Sequence, residues 1–274
     1  MLGNAVLRFF ARSPGFTVTG TVRSVGSLRL LPPDLHGHVR QGIDVESTDS
    51  LLEVFASVRP DVVINCVGVV KQLSSAEDPL TAIPINALLP HRLARLCAIT
   101  SSRLIHVSTD CVFSGALGGY REDHPADAAD LYGRSKHMGE VDQTHAVTLR
   151  TSIIGHELGS AHGLVGWFLA QSGSVKGFKR AIFSGLPTCE LAKVMRDVVI
   201  PRKDLRGVYH VSAEPITKHD LLKLVAQAYA KDIAIVPDEK LVIDRSLDST
   251  RLRAATGYLP PSWPELVAAM QRFS

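Results

Sequence analysis

The sequence lacks a long apolar run. Among its 274 residues there is no stretch of 18 consecutive apolar residues, and the most apolar segment, residues 62–70, is interrupted by Asn65. This pattern excludes a membrane-spanning helix. The first twenty residues do not show the charged start, apolar middle and small-residue cleavage site of a secretory signal. We therefore expect a cytoplasmic protein that does not enter a membrane.

Grouped metal ligands and paired cysteines are also missing. The cysteines lie far apart in the chain, at Cys66, Cys97, Cys111 and Cys189. This spacing provides neither a CxxC pair nor a dense disulfide framework, so we expect free thiols in a reducing compartment. The pairs His36/His38 and His156/His162 have neither H-E-x-x-H spacing nor cysteines nearby. The sequence therefore predicts no catalytic metal.

Runs of one charge are absent. The chain has 30 Lys and Arg against 27 Asp and Glu, a net charge of +3, and the basic residues are spread along it. Nucleic-acid-binding and anionic-membrane-binding proteins concentrate their basic residues in patches. We expect neither partner here.

What is present is a regular alternation of strand and helix patterns. Apolar periodicity predicts helices over residues 3–12, 50–58, 86–99 and 132–143, and strands over residues 17–23, 39–44, 61–67, 103–109 and 146–152. Strands that alternate with long helices form parallel sheets covered on both faces. The predicted fold is α/β with a doubly wound parallel sheet.

The alternation stops after residue 152. A helix over 190–200 and a strand over 207–212 follow, and capping-box patterns at Thr217 and Ser262 begin two more helices. We therefore expect a main domain over residues 1–152, to which the strand at 207–212 returns. Residues 153–274 are expected to form mainly a smaller lobe that binds substrate.

Ligands of doubly wound sheets lie beyond the carboxyl ends of the strands, so those ends are the places to seek chemistry. One predicted strand ends in Ser108-Thr109-Asp110, and the following helix carries Tyr132-Gly133-Arg134-Ser135-Lys136. A Tyr and a Lys four residues apart share one helix face, so the ammonium is expected to bring the phenol pKa toward neutrality. The pair would act as a general acid or base on a carbonyl or alcohol.

In this order the motifs resemble the extended short-chain dehydrogenase/reductase superfamily, and within it the dTDP-4-dehydrorhamnose reductase-like group. The segments that carry the resemblance are residues 61–68, Ile85-Asn86-Ala87, residues 107–115, residues 132–136 and Leu149-Arg150-Thr151-Ser152. The resemblance implies a Rossmann-type sheet, a nucleotide-sugar substrate and a nicotinamide cofactor that supplies hydride. It is also compatible with a homodimer.

The resemblance implies roles for four residues. Tyr132 would donate a proton to the keto oxygen, and Lys136 would tune Tyr132 and bind the nicotinamide ribose. The Thr109 hydroxyl would orient the substrate, with that of Ser108 within reach of the same oxygen. Asn86 matches the asparagine that supports the lysine, although a polar residue that merely begins a helix is the alternative.

Cofactor-binding residues are expected at the ends of several elements. The site would include Gly3, Cys66, Val67, Gly68 and Ser108, together with Tyr132 and Lys136. After the first predicted strand, Arg23 and Ser24 suit a 2′-phosphate, which favours NADPH over NADH, unless Arg23 is an ordinary solvated arginine. Asp44 and Val45 resemble the pair that flanks the adenine.

Residues that contact substrate are less sharply defined. Candidates are Lys71, Gln72, Asp110, Arg150, Arg251 and Arg253. A solvated loop is the alternative for Lys71, and an exposed helix face is the alternative for the last two arginines. Cys111 and Ile153 stand where the group commonly has aromatic residues near the sugar. The identity of the sugar is therefore left open.

The function predicted is reduction of a nucleotide-diphosphate 4-keto-6-deoxy sugar by NADPH, in the synthesis of surface polysaccharide or O-antigen sugars. Two alternatives stay open. One is an epimerase or dehydratase of the same superfamily, and the other is a regulatory subunit that binds NADP without catalysis, since the regulatory chain of methionine adenosyltransferase shares this fold group.

The beginning of the chain departs from the family pattern. Met1-Leu2-Gly3 matches the last third of a G-x-x-G-x-x-G loop, whose earlier glycines would follow a first strand. We expect the sheet to lack that strand, and our hypothesis is that Met1 is an internal methionine of a longer natural chain. A natural variant with a weakened pyrophosphate site is the alternative.

Overall fold

A parallel sheet is the centre of the fold. The computed structural model describes residues 1–71 and 74–274, so the candidate Gln72 lies outside the described residues. The sheet is formed by β3 (Val62–Asn65), β4 (Arg103–Thr109), β5 (Ala146–Thr151) and β10 (Gly207–His210). Its strand order is β10-β5-β4-β3, and all its pairs are parallel. The α/β class predicted from the alternating pattern is confirmed.

The first two strands form a small sheet of their own. Strands β1 (Gly20–Val22) and β2 (Val39–Gln41) pair in parallel, and helix α1 (Leu2–Ala11) precedes them. Within the described residues these two strands pair with no strand of the larger sheet. Helix α1 buries Leu2, Val6 and Phe10 in the main hydrophobic core.

Helices cover both faces of the larger sheet. Those of the first half are α2 (Thr48–Val58), α3 (Pro79–Ala82), α4 (Leu89–Thr100) and α5 (Leu131–Met138). Leu104 of β4 packs with apolar residues of α2 and α4, whereas Ile105 packs in the core that contains α1. Because successive residues of a strand point to opposite faces, both faces of β4 are buried.

The C-terminal part has shorter elements. They are β6 (Ile153–Ile154), α6 (Leu164–Ala170), β7 (Ser174–Phe178), β8 (Ala181–Phe183), β9 (Leu186–Pro187), α7 (Thr188–Val194), β11 (Ile216–Thr217), α8 (Lys218–Ala228), β12 (Ala234–Asp238), β13 (Ile243–Asp244), α9 (Thr250–Thr256) and α10 (Trp263–Arg272). Strand β8 lies between β11 and β13, β7 pairs with β12, and β6 pairs with β9. Apolar side chains of α7, α8 and α10 join the same core as α1.

Three predicted helices differ from the structure. The helix expected over 190–200 is α7, which ends at Val194 and is followed by a π-helical turn, Met195–Val199. The helix expected over 132–143 ends at Met138, and the chain turns at Gly139. The helix expected over 86–99 is preceded by a π-helical turn, Ile83–Leu88, which contains Asn86. Pro84 and Pro90 lie in this region, and because proline has no N–H, regular α-helical bonding is interrupted there.

Candidate active site

Helix α5 carries the Tyr132 and Lys136 side chains to the carboxyl end of β4. Asp130 caps the helix, because its Oδ1 accepts a 2.9 Å hydrogen bond from the backbone N–H of Gly133. A Cβ on Gly133 would overlap the carbonyl oxygen of Cys111, in the short turn that follows β4. The glycine therefore allows the helix to approach the strand end closely.

Lys136 is buried beneath this helix. Its Nζ donates a 2.8 Å hydrogen bond to the carbonyl oxygen of Val107, and the ammonium has two further N–H donors. Burial lowers the pKa of Lys136 to about 8, and the Glu140 carboxylate opposes that shift. A Cβ on Gly68 would lie 3.9 Å from Nζ, so the end of β3 lies directly against the ammonium.

The phenol of Tyr132 is half-buried beside Thr109 and Cys111. Burial raises the pKa of Tyr132 above its usual value, and a hydrogen bond with the Thr109 hydroxyl offsets part of this rise. The expectation that Lys136 brings this pKa toward neutrality differs from the structure, because burial is the largest influence on the pKa of Tyr132 and the nearby Cys111, Asp110 and Asp130 raise it further. A phenol with a raised pKa stays protonated at neutral pH, which suits a proton donor.

Asn86 is fully buried in the π-helical turn. Its Oδ1 accepts a 2.9 Å hydrogen bond from the Val69 backbone N–H, and its Nδ2 donates to the Ser135 hydroxyl at 3.3 Å. Asn86 thus joins the segment after β3 to the helix residue that precedes Lys136. Any support that it gives Lys136 passes through Ser135 and this backbone.

The hydroxyls of Ser108 and Thr109 have different partners. Ser108 donates to Glu140 at 2.7 Å, and Thr109 donates to the Asp110 carboxylate at 3.2 Å. Adjacent strand residues point to opposite faces, so the prediction that both hydroxyls reach one substrate oxygen is wrong in this structure. Burial raises the pKa of Asp110.

Two rows of polar residues cross the sheet beneath α5. The strand register aligns Asn65 with His106 and His106 with Thr148, and it aligns Ser108 with Arg150 and Arg150 with His210. The Thr148 hydroxyl donates to the Val141 carbonyl and accepts from the Val141 N–H, both at 3.0 Å. The chain just after α5 is therefore fixed to the sheet by polar contacts.

Arg150 is fully engaged within these rows. Its guanidinium donates to both carboxylate oxygens of Glu140, at 2.7 and 2.6 Å, and both side chains are about as buried as core residues, with exposures of 5% and 6%. A third N–H donates to His210 Nε2 at 3.3 Å. The substrate contact predicted for Arg150 would require this buried ion pair to open, so its contacts give it a structural role.

The residues expected to hold a dinucleotide lie at the strand ends of the two sheets. A Cβ on Gly3 would be 3.6 Å from Cys66 Cβ, so α1 begins beside the end of β3. Val67 is partly exposed. Because glycine has no Cβ, a ligand can approach the backbone closely at Gly3 and Gly68. The two free N–H donors of Lys136 can bond to ribose hydroxyls. These groups fit a nicotinamide nucleotide.

The adenine end of the expected site follows β1 and β2. Arg23 and Ser24 come directly after β1 and are exposed, and the Ser24 hydroxyl accepts a hydrogen bond from the Gly26 N–H. Asp44 is exposed, whereas Val45 packs against the core below α2 and α4. An exposed guanidinium at this strand end fits a phosphate.

Cations around the expected sugar site have mixed placements. Lys71 forms an exposed 2.6 Å ion pair with Asp130, the cap of α5. The Arg251 guanidinium lies 4.6 Å from the centre of the Tyr209 ring, on the edge strand β10. Arg253 is paired with Glu214 at 3.1 Å. Lys71 therefore contacts the residue that caps α5, whereas the two arginines contact residues outside that helix.

Sequence reasoning did not single out three residues that contact candidate residues of the site or their neighbours. Arg245, which follows β13, donates to the Phe113 carbonyl at 2.8 Å, and its charge lowers the pKa of Asp110 against the rise caused by burial. Asp130 joins Lys71 to α5. Glu140 lies four residues after Lys136, just beyond the end of α5 at Met138, so helix periodicity does not place the two side chains together.

The cysteines are all free thiols. Burial raises the pKa of Cys66 and of Cys111 to about 12, so both thiols beside the site are inert.

Among residues 1–71 and 74–274, no cluster of three or more histidine, cysteine or carboxylate side chains is suited to a metal ion. In the same residues, no helix has the length and apolarity that crossing a bilayer requires.

Comparison with known proteins decides the family. The family model described as the RmlD substrate binding domain matches residues 32–271. The chain belongs to this family. It is an extended short-chain dehydrogenase/reductase of the dTDP-4-dehydrorhamnose reductase-like group, a class of NAD(P)-dependent oxidoreductases, and the resemblance stated from the motifs is confirmed.

Curated relatives extend over most of the chain. A probable low-salt glycan biosynthesis reductase of Haloferax volcanii is 25% identical over 99% of this chain and 94% of its own length. A dTDP-4-dehydrorhamnose reductase of Aggregatibacter actinomycetemcomitans is 23% identical over 85% of this chain and 87% of its own. A shorter match, to the dTDP-4-dehydrorhamnose reductase of Mycobacterium tuberculosis, is 43% identical over 29% of this chain and 28% of the relative.

Solved structures share the fold. The dTDP-4-dehydrorhamnose reductase of Bacillus anthracis in complex with NADP has a TM-score of 0.76 at 20% identity, over 94% of this chain and all of that one. The dTDP-glucose 4,6-dehydratase of the same organism, in complex with NAD, has a TM-score of 0.77 at 13% identity, over 100% of this chain and 93% of that one. Such similarity extends to enzymes with different reactions, so it describes the fold alone.

Proposed function

We propose that the protein reduces a nucleotide-diphosphate-linked 4-keto-6-deoxy sugar with NADPH, in the synthesis of surface polysaccharide or O-antigen sugars. The observation that carries the proposal is the protonated Tyr132 phenol beside Thr109, one helical turn before the buried Lys136 ammonium. The relatives named as dTDP-4-dehydrorhamnose reductases and as a glycan biosynthesis reductase support it. We further propose that the chain works in the cytoplasm and forms a homodimer.

In this reaction the bound cofactor supplies a hydride to the keto carbon. Thr109 orients the keto oxygen, and Tyr132 donates its proton to that oxygen, so that an alcohol and a phenolate form. The Lys136 ammonium, held by the Val107 carbonyl, stabilises the phenolate until solvent returns the proton. Asn86 and Ser135 keep the lysine backbone in place.

NADPH is proposed in preference to NADH because Arg23 is exposed at the end of β1, where a guanidinium can pair with a 2′-phosphate. Gly3, Cys66, Val67 and Gly68 would lie along the cofactor. Asp44 and Val45 would flank the adenine. Among the candidate substrate residues, Lys71, Asp110 and Arg251 remain proposals, with Arg245 added by its approach to Asp110.

The proposal is tested with a panel of nucleotide-linked 4-keto sugars, by following the loss of NADPH absorbance. We expect one NADPH oxidised for each sugar reduced. Tyr132→Phe should lower kcat by at least about a thousandfold while the Kd for NADPH changes less than about threefold. Tyr229→Phe, which removes a hydroxyl that contacts His156, is the matched control and should keep its activity.

Three results would contradict the proposal. Sugar conversion without net NADPH consumption would indicate an epimerase or dehydratase. NADPH binding without turnover of any sugar in the panel would indicate a regulatory subunit. Unchanged NADPH oxidation by Tyr132→Phe would exclude Tyr132 as the proton donor. Light scattering at several protein concentrations tests the homodimer separately.

A further inference from the structure

A buried carboxylate lies one turn beyond Lys136. Glu140 accepts hydrogen bonds from Ser108 at 2.7 Å, from two guanidinium nitrogens of Arg150 at 2.7 and 2.6 Å, and from His137 at 3.2 Å. Burial alone would raise the pKa of Glu140, but these bonds outweigh it and lower the pKa to about 2. Glu140 is therefore ionised at every pH at which the enzyme could work.

Two of the three partners of Glu140 belong to strands of the larger sheet, and the third, His137, lies on α5. Ser108 directly precedes Thr109 at the end of β4, and Arg150 lies on the neighbouring strand β5. The carboxylate thus joins the chain just after α5 to both β4 and β5. Tyr132 and Lys136 share one face of α5, and Glu140 follows just after the turn at Gly139 that ends the helix.

Glu140 also acts on Lys136 through space. Burial lowers the pKa of Lys136 to about 8, and the Glu140 carboxylate is the strongest influence that opposes this loss of charge. At about pH 7 an amine with this pKa is about nine-tenths protonated. The ammonium that would hold the ribose hydroxyls and the phenolate depends on this nearby negative charge.

Building on the proposed reductase function, we propose that Glu140 is a positioning residue whose buried carboxylate fixes α5 on β4 and β5 and keeps Lys136 a cation beneath the nicotinamide ribose. Glu140 does this without touching substrate or cofactor. In a purely structural ion pair, Glu140 would serve only through its hydrogen bonds. Here its negative charge is also needed, because that charge keeps Lys136 protonated.

The other titratable groups near this pair do not replace that charge. They come from α4, α5, β4, β5, β10 and the end of β3, and they are Cys66, His91, His106, Tyr132, His137, Arg150 and His210. Burial keeps the thiol and phenol protonated and lowers the pKa of His106 and His210, so these groups are neutral near pH 7. Arg150 is positive. This set, drawn from the described residues, contains no carboxylate, so the negative charge near Lys136 comes from Glu140.

The direct test is the titration of Lys136 in the cofactor-free protein, by NMR of its side-chain carbon and nitrogen, with Lys136→Met to assign the signal. In Glu140→Gln we expect the midpoint to fall by about one pH unit, so that about half of the lysine is protonated at pH 7. Glu190→Gln, which neutralises another buried carboxylate, bonded to Tyr258, should leave the midpoint unchanged. An unchanged midpoint in Glu140→Gln overturns the proposal.

A second variant separates charge from folding. Glu140→Gln leaves the Arg150 guanidinium buried without its partner charge, and this is strongly destabilising. The double variant Glu140→Gln/Arg150→Gln removes both charges and should recover most of the lost Tm. We expect its Lys136 midpoint to stay low and its kcat to stay at least tenfold below that of the parent, with the basic limb of the pH profile moved to lower pH. Recovery of the parental midpoint would show that Glu140 is merely structural.

The outcome does not depend on the substrate being correct. The Lys136 titration needs neither sugar nor cofactor, and the pH dependence of NADPH binding gives a second readout without turnover. If the parent protein reduces no nucleotide sugar, the proposed function fails while the shifted midpoint in Glu140→Gln still supports the positioning role. If the parent is active and the midpoint does not move, the positioning role fails alone.

Discussion

A Cβ on Gly139 would overlap the carbonyl oxygen of Asn86, so the chain just after α5 and the π-helical turn meet backbone to backbone. No side chain fits between them. This contact holds the residue that follows α5 against the turn that carries Asn86.

Replacement of Gly139 by alanine should therefore push α5 away from the π-helical turn. We expect Gly139→Ala to lower the free energy of unfolding by about 1–3 kcal/mol, the usual cost of overpacking, and to reduce kcat at least tenfold. Thermal unfolding and turnover measure the two effects. Gly37→Ala is the control, because a Cβ there meets nothing within 4 Å, and its Tm should stay within about 2 °C of the parent.

Arg23 should determine the choice of cofactor. A charge-assisted contact with a phosphate contributes about 1.5–3 kcal/mol, so Arg23→Ala is expected to raise the Kd for NADPH at least tenfold and to leave the Kd for NADH nearly unchanged. Fluorescence titration with both nucleotides makes the comparison. Arg95→Ala removes an exposed arginine on α4 and should alter neither constant. An equal loss of affinity for both nucleotides in Arg23→Ala would argue against the phosphate contact.

His210 should make the protein less stable in acid. Its Nε2 accepts from Arg150, so its Nδ1 carries the proton and donates to the Tyr120 carbonyl at 3.0 Å. Burial, helped by the Arg150 charge, lowers the pKa of His210 to about 4 in the folded protein, against about 6.5 in the unfolded chain. Between these values the unfolded chain binds a proton that the folded protein does not, so stability falls as the pH is lowered from about 6.5 to about 4.

The size of this effect follows from the shift. Between pH 7 and 5, His210 accounts for a loss of about 2 kcal/mol, which His210→Gln should largely remove. Urea unfolding at the two pH values gives the measurement. His162→Gln, on an exposed loop, should show the same pH dependence as the parent. Equal slopes in the parent and His210→Gln would mean that the imidazole is not held neutral.

The thiols should be unreactive in the folded protein. Burial raises the pKa of Cys66, Cys97 and Cys111 to about 12, so at pH 8 the thiolate fraction of each is about one in ten thousand. We expect native protein to react with iodoacetamide at least a hundredfold more slowly than urea-unfolded protein, as followed by mass spectrometry. Rapid labelling of Cys66 or Cys111 in the native protein would contradict the burial.

Much of the sheet could be predicted from sequence. The strand expected over 103–109 has the same bounds as β4, in which Leu104, Ile105 and Val107 supply the apolar signal and five of the seven residues are buried. The predicted strand over 17–23 is shorter, Gly20–Val22, because it pairs with β2 alone and its pattern says nothing about the length of its partner. Periodicity reports burial well and pairing poorly.

In the candidate site, too, local spacing could be predicted from sequence and contacts between distant residues could not. The spacing of Tyr132 and Lys136 predicts a shared helix face. It does not predict how deeply the two side chains are buried, and burial raises the pKa of Tyr132 and lowers that of Lys136. The Leu149-Arg150-Thr151-Ser152 motif singles out Arg150 without showing that Glu140 occupies it. The roles of these residues depend on contacts with residues distant in sequence, and a single sequence does not predict those contacts.

The polar rows beneath α5 have a consequence for how the strands align. His106 and Arg150 alternate along their strands with Ile105 and Leu149, which point into the hydrophobic core on the opposite face of the sheet. A slip of one residue between β4 and β5 would turn every side chain over and bury an imidazole and a guanidinium among hydrocarbon. His106 and Arg150 thus disfavour a misaligned pairing of β4 and β5 during folding.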